Sequence, residues 1–120
     1  MIKIYETVSV NLDDIPDENK NGNCYQVALN TFMENPSKYK LVHGIVTGQS
    51  AISGIQYGHA WVEDGDMVID NTVPIKIPKV VYYAIGNIEY VKSYNSTDVW
   101  KMLDKFGTYG PWDKKILQYP

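Results

Sequence analysis

The chain has 120 residues, of which 44% are hydrophobic and 21% are charged, and its formal net charge is -3. These values are ordinary for a globular protein, so we expect residues 1–120 to form a single soluble domain with its own core. A mildly acidic chain lacks the basic footprint of a nucleic-acid-binding protein. We therefore expect no nucleic-acid partner.

Targeting signals and the number of cysteines indicate which cellular compartment to expect. The first residues, Met1 to Glu6, lack the basic segment and long apolar run of a secretory signal. No apolar stretch approaches the roughly 20 residues that span a bilayer. We expect no membrane association and a cytoplasmic location. The single cysteine, Cys24, cannot form an intramolecular disulfide, and it is compatible with a reducing compartment or a catalytic nucleophile.

The first predicted helix begins at this cysteine. Residues 1–10 alternate loosely and predict a leading strand or an extended arm, and the polar residues 11–23 predict a loop. Apolar side chains then recur at helical spacing over Cys24–Glu34. Asn23 is a good N-cap residue directly before this run, and Asn35-Pro36 ends it.

The rest of the chain predicts strands and one more helix. A strand is expected over Leu41–Thr47, and His59–Glu63 and Met67–Asn71 flank Asp64-Gly65, a dipeptide suited to a hairpin turn. Further strands over Val80–Ile85 and Ile88–Tyr94 form a second hairpin.

A short helix follows over Val99–Phe106. Ser96 to Asp98 cap its beginning and Gly107 closes its end. The pattern predicts an α+β fold in which the helix carrying Cys24 covers an antiparallel sheet.

The first hairpin brings a histidine close to a carboxylate. If Asp64-Gly65 is a two-residue loop, counting outward along both strands places His59 directly opposite Asp70. Directly opposed residues have Cβ atoms about 4.5–5.5 Å apart on one face of the sheet, within reach of a hydrogen bond. With a three-residue loop His59 faces Asn71 instead, whose amide could also orient the imidazole.

Cys24 supplies a nucleophile for this pair. The first turn of a helix carries free backbone N–H groups and the positive end of the helix dipole, which favour a thiolate. A nearby imidazole would form a thiolate–imidazolium pair, and Asp70 would hold one tautomer of His59. The backbone N–H of Cys24 is a natural oxyanion donor. Asn21 and Asn23 are candidates for the second donor.

Three short motifs together resemble the transglutaminase-like core of the papain-like superfamily. They are Gly22-Asn-Cys-Tyr25 at a helix start, Gly58-His-Ala-Trp-Val-Glu63, and Val68-Ile-Asp-Asn-Thr72. The resemblance covers roughly residues 21–73. It implies a papain-like fold, acyl transfer through a thioester on Cys24, and a triad completed by His59 and Asp70.

Other residues receive smaller roles. Tyr25 and Gln26 follow the nucleophile and are candidates for contact with substrate. Trp61 shares the face of His59 and is expected to pack near or under the site. His43 is expected to be structural.

Competing chemistries find less support. Close-spaced ligand pairs typical of zinc sites are missing from the sequence, as are glycine-rich phosphate-binding motifs. We expect no metal and no cofactor.

The sequence thus predicts a cysteine-dependent hydrolase that acts on an amide bond in a peptide or protein substrate, as a peptidase, amidase or deamidase. Transglutaminase-type amine transfer is an alternative. A catalytically inactive papain-like protein, which binds or inhibits a protein partner, is another.

Overall fold

The computed structural model describes residues 23–48, 54–71 and 75–119. Its helices are α1 (Cys24–Phe32), α2 (Lys79–Ile85), α3 (Ser96–Phe106) and α4 (Lys114–Leu117), and its strands are β1 (Lys40–Thr47), β2 (Gln56–Asp64), β3 (Met67–Ile69), β4 (Ile77–Pro78) and β5 (Tyr90–Tyr94). The arm or strand expected over residues 1–10, and all of the expected loop except Asn23, lie outside the described residues. None of the helices described here has the length and apolar character needed to cross a membrane.

The five strands form one antiparallel sheet in the order β4-β3-β2-β1-β5. β2 is the central strand, and its residues Gln56 to Glu63 pair with the whole of β1. The predicted α+β class and the antiparallel sheet are confirmed.

Helix α1 covers the first face of the sheet. Ala28, Leu29 and Phe32 recur at helical spacing and are buried against Ala60 and Val62 of β2. Asn23 takes the predicted N-cap position, but its side chain makes no capping hydrogen bond. The helix carrying Cys24 is therefore fixed by its apolar stripe rather than by a cap.

Helix α2 covers the second face, where the sequence predicts a strand instead. Strand alternation would bury Val80 together with Tyr82, but Val80 is 79% exposed while Tyr82 and Ile85, three residues apart, are buried. The predicted second hairpin is therefore wrong. The β-branched and aromatic residues of this segment favour a strand locally, but burial of one helical stripe on the sheet outweighs that preference.

The predicted strand over Ile88–Tyr94 is shorter than expected and has a different partner. It begins at Tyr90 and pairs with β1 at the edge of the sheet. Helix α3 begins at Ser96, three residues before the predicted start, after a capping box of Asn95 and Asp98. It ends as predicted at Gly107, whose φ of 67° favours glycine.

The first hairpin forms where predicted, but its loop is shifted by one residue. Asp64 pairs with Met67, so the loop is Gly65-Asp66 rather than Asp64-Gly65. Gly65 has a φ of 60° and takes the first loop position. Two-residue hairpins of the II′ type place glycine there because its backbone tolerates positive φ.

His43 of β1 is sealed inside the core on the first face. It is 0% exposed, and neither ring nitrogen has a hydrogen-bond partner. Its ring lies 4.9 Å from that of Tyr25, 5.2 Å from that of Tyr94 and 5.0 Å from that of Trp112. Burial lowers the pKa of His43 to about 3, although the nearby Asp113 opposes the shift.

This burial predicts a loss of stability in acid. Below about pH 6.5 the unfolded chain takes up a proton at His43, whereas the folded protein keeps this ring neutral until the pH approaches its lowered pKa. The free energy of unfolding therefore falls as the pH falls between these two pKa values. We expect the free energy of unfolding of the wild type to fall relative to His43→Leu by about 2 kcal/mol between about pH 7 and pH 5. Urea unfolding of both proteins at the two pH values measures this difference. A constant difference would contradict the assignment of a neutral buried His43.

Candidate active site

The candidate site lies where the pairing of β2 with β3 ends. The described ladder runs from Asp64–Met67 to Val62–Ile69 and stops there. Asp70 is therefore the first residue beyond β3. On β2, His59 precedes Val62, the last paired residue, by three positions.

His59 is not directly opposite Asp70, so the predicted register is wrong by two residues. Because the loop is shifted by one residue, continuing the observed register beyond Val62–Ile69 would pair Asp70 with Trp61. His59 lies two residues before Trp61 on the same strand, so it is a diagonal neighbour of Asp70. The side-chain period of a strand is two, so a slip of two residues keeps both groups on the same face. The alternative register, in which Asn71 faces His59, would have put His59 and Asp70 on opposite faces, and it is not observed.

The predicted contact between the two side chains is present despite this shift. His59 Nε2 lies 2.8 Å from Asp70 Oδ2, and only 7% of the first side chain and 2% of the second are exposed. Because a carboxylate only accepts hydrogen bonds, Nε2–H is the donor. Asp70 thus fixes the imidazole and leaves Nδ1 as the nitrogen available to another group.

The electrostatics of this pair favour an imidazolium. Burial alone would lower the pKa of His59, but the charge and hydrogen bond of Asp70, together with the contact to Cys24, raise it well above the ordinary value of 6.5. A charge in so buried a position is stable because its partner is close and hydrogen-bonded.

Cys24 completes the cluster from the start of α1. Its side chain is partly exposed and lies within hydrogen-bonding distance of His59. Helix α1 packs on the first face, whereas the ring of His59 lies among second-face side chains, 6.1 Å from the ring of Trp61. The structure therefore brings together the three predicted triad residues.

A side-chain hydrogen bond ties the helix of Cys24 to the segment of Asp70. Thr31 Oγ1 donates to Asn71 Oδ1 at 3.0 Å. Asn71 directly follows Asp70, and Thr31 lies two helical turns after Cys24. The predicted orienting candidate Asn71 therefore contacts α1.

The other predicted site residues occupy different environments. Asn23 and Gln26 are exposed in the first turn of α1, whereas Asn21 lies outside the described residues. The hydroxyl of Tyr25 is buried in the core, and its ring contacts His43. Trp61 is 1% exposed and packs beneath the site.

Trp61 is held by a buried carboxylate. Its Nε1–H donates to Glu63 Oε2 at 3.1 Å, and the hydroxyl of Tyr83 donates to the same oxygen at 2.5 Å. Lys79 lies 3.2 Å from the other carboxylate oxygen. These contacts provide hydrogen-bond and charge partners for the buried carboxylate of Glu63 and fix the indole, which packs near the imidazole of His59.

Two tyrosines near the triad were missed by sequence reasoning. The ring of Tyr57 lies 5.9 Å from that of His59 in an edge-to-face contact. The hydroxyl of Tyr82 donates to Asp70 Oδ2 at 2.5 Å. Alternation along β2 could have indicated Tyr57, which lies two residues before His59. Tyr82 could not be placed because its segment was assigned to a strand.

The described residues offer little to a metal ion. Among them no group of three or more histidine, cysteine or acidic side chains has an arrangement suited to holding one. The site can instead donate and accept protons at His59 beside a partly exposed thiol. That is the chemistry of nucleophilic acyl transfer.

The opposite pKa shifts of the two histidines predict a simple titration experiment. The chain has two histidines, so its NMR spectrum contains two imidazole Hε1 resonances. We expect the resonance of His59 to titrate well above about pH 6.5, and that of His43 to remain constant across the same range. Asp70→Asn is expected to lower the pKa of His59, since it removes the negative charge. His59 stabilises the fold below about pH 6.5, and this contribution is lost as pH rises through its raised pKa. Two ordinary titrations near pH 6.5 would contradict the geometry.

Comparison with protein-family models, with curated proteins and with solved structures found no match. The likeness to the transglutaminase-like core therefore depends on the motifs around Cys24, His59 and Asp70. The chemistry of the site must accordingly be inferred from its own geometry.

Proposed function

We propose that this protein is a cysteine-dependent acyl-transfer enzyme that hydrolyses an amide bond in a peptide or protein substrate. The observation that supports this most strongly is the joint placement of Cys24, His59 and Asp70. A partly exposed thiol contacts an imidazole, and a buried carboxylate binds the other side of that ring. This is the order of contacts that an activated thiol nucleophile requires.

Each group has a role in the first half-reaction. The Cys24 thiolate attacks the amide carbonyl carbon, and the carbonyl oxygen becomes an oxyanion. His59, as imidazolium, gives its proton to the leaving nitrogen while the carbon–nitrogen bond breaks, which leaves a thioester on Cys24. Asp70 keeps the ring aligned and stabilises its charged form.

The second half-reaction returns the enzyme to its starting state. His59, now neutral, takes a proton from water as the water oxygen attacks the thioester. The carbon–sulfur bond breaks, the acid product leaves, and the thiolate–imidazolium pair is restored. An amine in place of water would give transglutaminase-type transfer. We favour hydrolysis because no described group near Cys24 is identified as binding an amine.

The beginning of α1 supports stabilisation of the oxyanion. The first N–H groups of a helix have no intrahelical acceptor, and among the described residues the Asn23 side chain makes no capping bond to them. The backbone N–H of Cys24 is therefore the first candidate donor to the developing oxyanion. The exposed Asn23 side chain is the described candidate for a second donor.

The fold is compatible with the papain-like class that the motifs suggest. A helix with the nucleophile at its first residue packs on an antiparallel sheet, and the central strand of that sheet carries the histidine. Assignment to the transglutaminase-like superfamily, and with it a cytoplasmic cysteine hydrolase, is part of our proposal.

Alkylation of native Cys24 with iodoacetamide tests the proposal. We expect fast alkylation of the folded protein at neutral pH, because the imidazolium of His59 stabilises the thiolate. His59→Ala is expected to slow the reaction at neutral pH by at least about tenfold, since the thiol then loses its charged partner. Mass spectrometry after a short pulse measures the rate as a function of pH.

Cys24→Ser and His43→Leu serve as controls. The serine variant should take up no label, and substitution of the second histidine, which lies in the core, should leave the alkylation rate unchanged in folded protein. Slow alkylation in both the wild type and His59→Ala, accelerating only on unfolding, would overturn the enzymatic proposal. It would favour the inactive binding or inhibitor protein instead.

A further inference from the structure

A fourth side chain forms a hydrogen bond with the candidate triad from the second face of the sheet. Tyr82 of α2 is 2% exposed, and its hydroxyl donates to Asp70 Oδ2 at 2.5 Å. The same oxygen accepts the hydrogen bond from His59 Nε2 at 2.8 Å. Two donors from different elements therefore converge on one carboxylate oxygen.

The orientation of the Asp70 carboxylate matters because the imidazole is bound to it. Asp70 is the first residue after β3. A rotation of its carboxylate would move the imidazole that it binds. The hydroxyl of Tyr82 approaches from a helix that is packed firmly on the sheet.

The packing of α2 fixes the position of that hydroxyl. The ring of Tyr82 lies 5.2 Å from that of Trp61, and the ring of the next residue, Tyr83, lies 6.0 Å from it. Tyr83 in turn donates to Glu63, which also holds the indole. Two consecutive tyrosines thus contact Trp61, and each donates to a different buried carboxylate.

We infer that Tyr82 is a positioning residue of the site, which fixes the carboxylate of Asp70 and limits the proton affinity of the His59–Asp70 pair. The inference rests on the proposed function in its catalytic part. The physical coupling between the three side chains can be measured without any substrate.

The direction in which Tyr82 shifts the pKa of His59 depends on the protonation state in which the negative charge of Asp70 is not balanced. When His59 is neutral, Asp70 carries a buried negative charge, and the hydroxyl of Tyr82 donates a hydrogen bond to it. When His59 is protonated, the imidazolium already balances that charge, so the hydroxyl matters less. Removal of the hydroxyl therefore destabilises the neutral-imidazole state more and raises the pKa of His59.

The test is Tyr82→Phe, with Tyr83→Phe as the matched control. Both changes remove one hydroxyl that donates at 2.5 Å to a buried carboxylate, on neighbouring residues of one helix. We expect Tyr82→Phe to raise the pKa of His59 by roughly one unit, as measured by the Hε1 resonance, and Tyr83→Phe to leave it unchanged. An unchanged or lowered pKa in Tyr82→Phe, or equal shifts in both variants, would overturn the inference.

A kinetic readout accompanies the titration. An imidazolium that holds its proton more tightly is a poorer acid toward the leaving group, so amide turnover by Tyr82→Phe should fall several-fold and the basic limb of its pH profile should move upward. Tyr83→Phe should keep the wild-type profile. A general loss of stability would lower activity in both variants without moving either profile.

One further measurement keeps the inference testable if Tyr82→Phe folds poorly. In wild type, the Tyr82 hydroxyl proton should give a strongly downfield NMR resonance that disappears in Asp70→Asn, and its absence from wild type would overturn the inference. If Tyr82→Phe folds, adding it to Asp70→Asn should cause no further change in the pKa of His59, and a further change would contradict the inference. Failure of Cys24 to alkylate in the folded wild type would refute the proposed function alone, since the His59 titration does not depend on it.

Discussion

The buried hydrogen bond between His59 and Asp70 governs the arrangement of the candidate site. His59 Nε2 lies 2.8 Å from Asp70 Oδ2, although the described pairing between β2 and β3 extends only to Val62–Ile69. Helix α1 brings Cys24 to the same imidazole. The three side chains therefore meet beyond the end of the described β2–β3 ladder.

The two faces of the sheet contribute different parts of the site. The first face holds α1, whose apolar stripe sets the position of Cys24. The second face holds α2, whose tyrosines donate to Asp70 and to Glu63. The imidazole of His59 is thus held between a helix that carries the thiol and a helix that orients the carboxylate. Buried polar groups in such a network fix geometry because each one left unpaired would cost free energy.

The two histidines show that a buried imidazole is neutral or charged according to whether it has a hydrogen-bonded carboxylate as a partner. His43 is enclosed by aromatic rings with no hydrogen-bond partner at either nitrogen, so burial keeps it neutral and lowers its pKa to about 3. His59 is equally hidden from solvent, but the adjacent carboxylate and thiol raise its pKa. One ring stabilises the core as an uncharged aromatic group, and the other holds a proton beside the candidate nucleophile.

The sequence by itself determined the α+β class, the helix that begins at Cys24 and the strand that carries His59, because apolar periodicity and turn residues act locally. It also placed His59 and Asp70 on one face, since a register slip of two residues preserves the face. Only the tertiary structure decided the exact register, which depends on Gly65 taking the first loop position. The helical state of α2 was likewise decided by packing on the sheet, against the local preference of its β-branched and aromatic residues. The contact of Tyr82 with Asp70 follows from that packing, so no local signal could have revealed it.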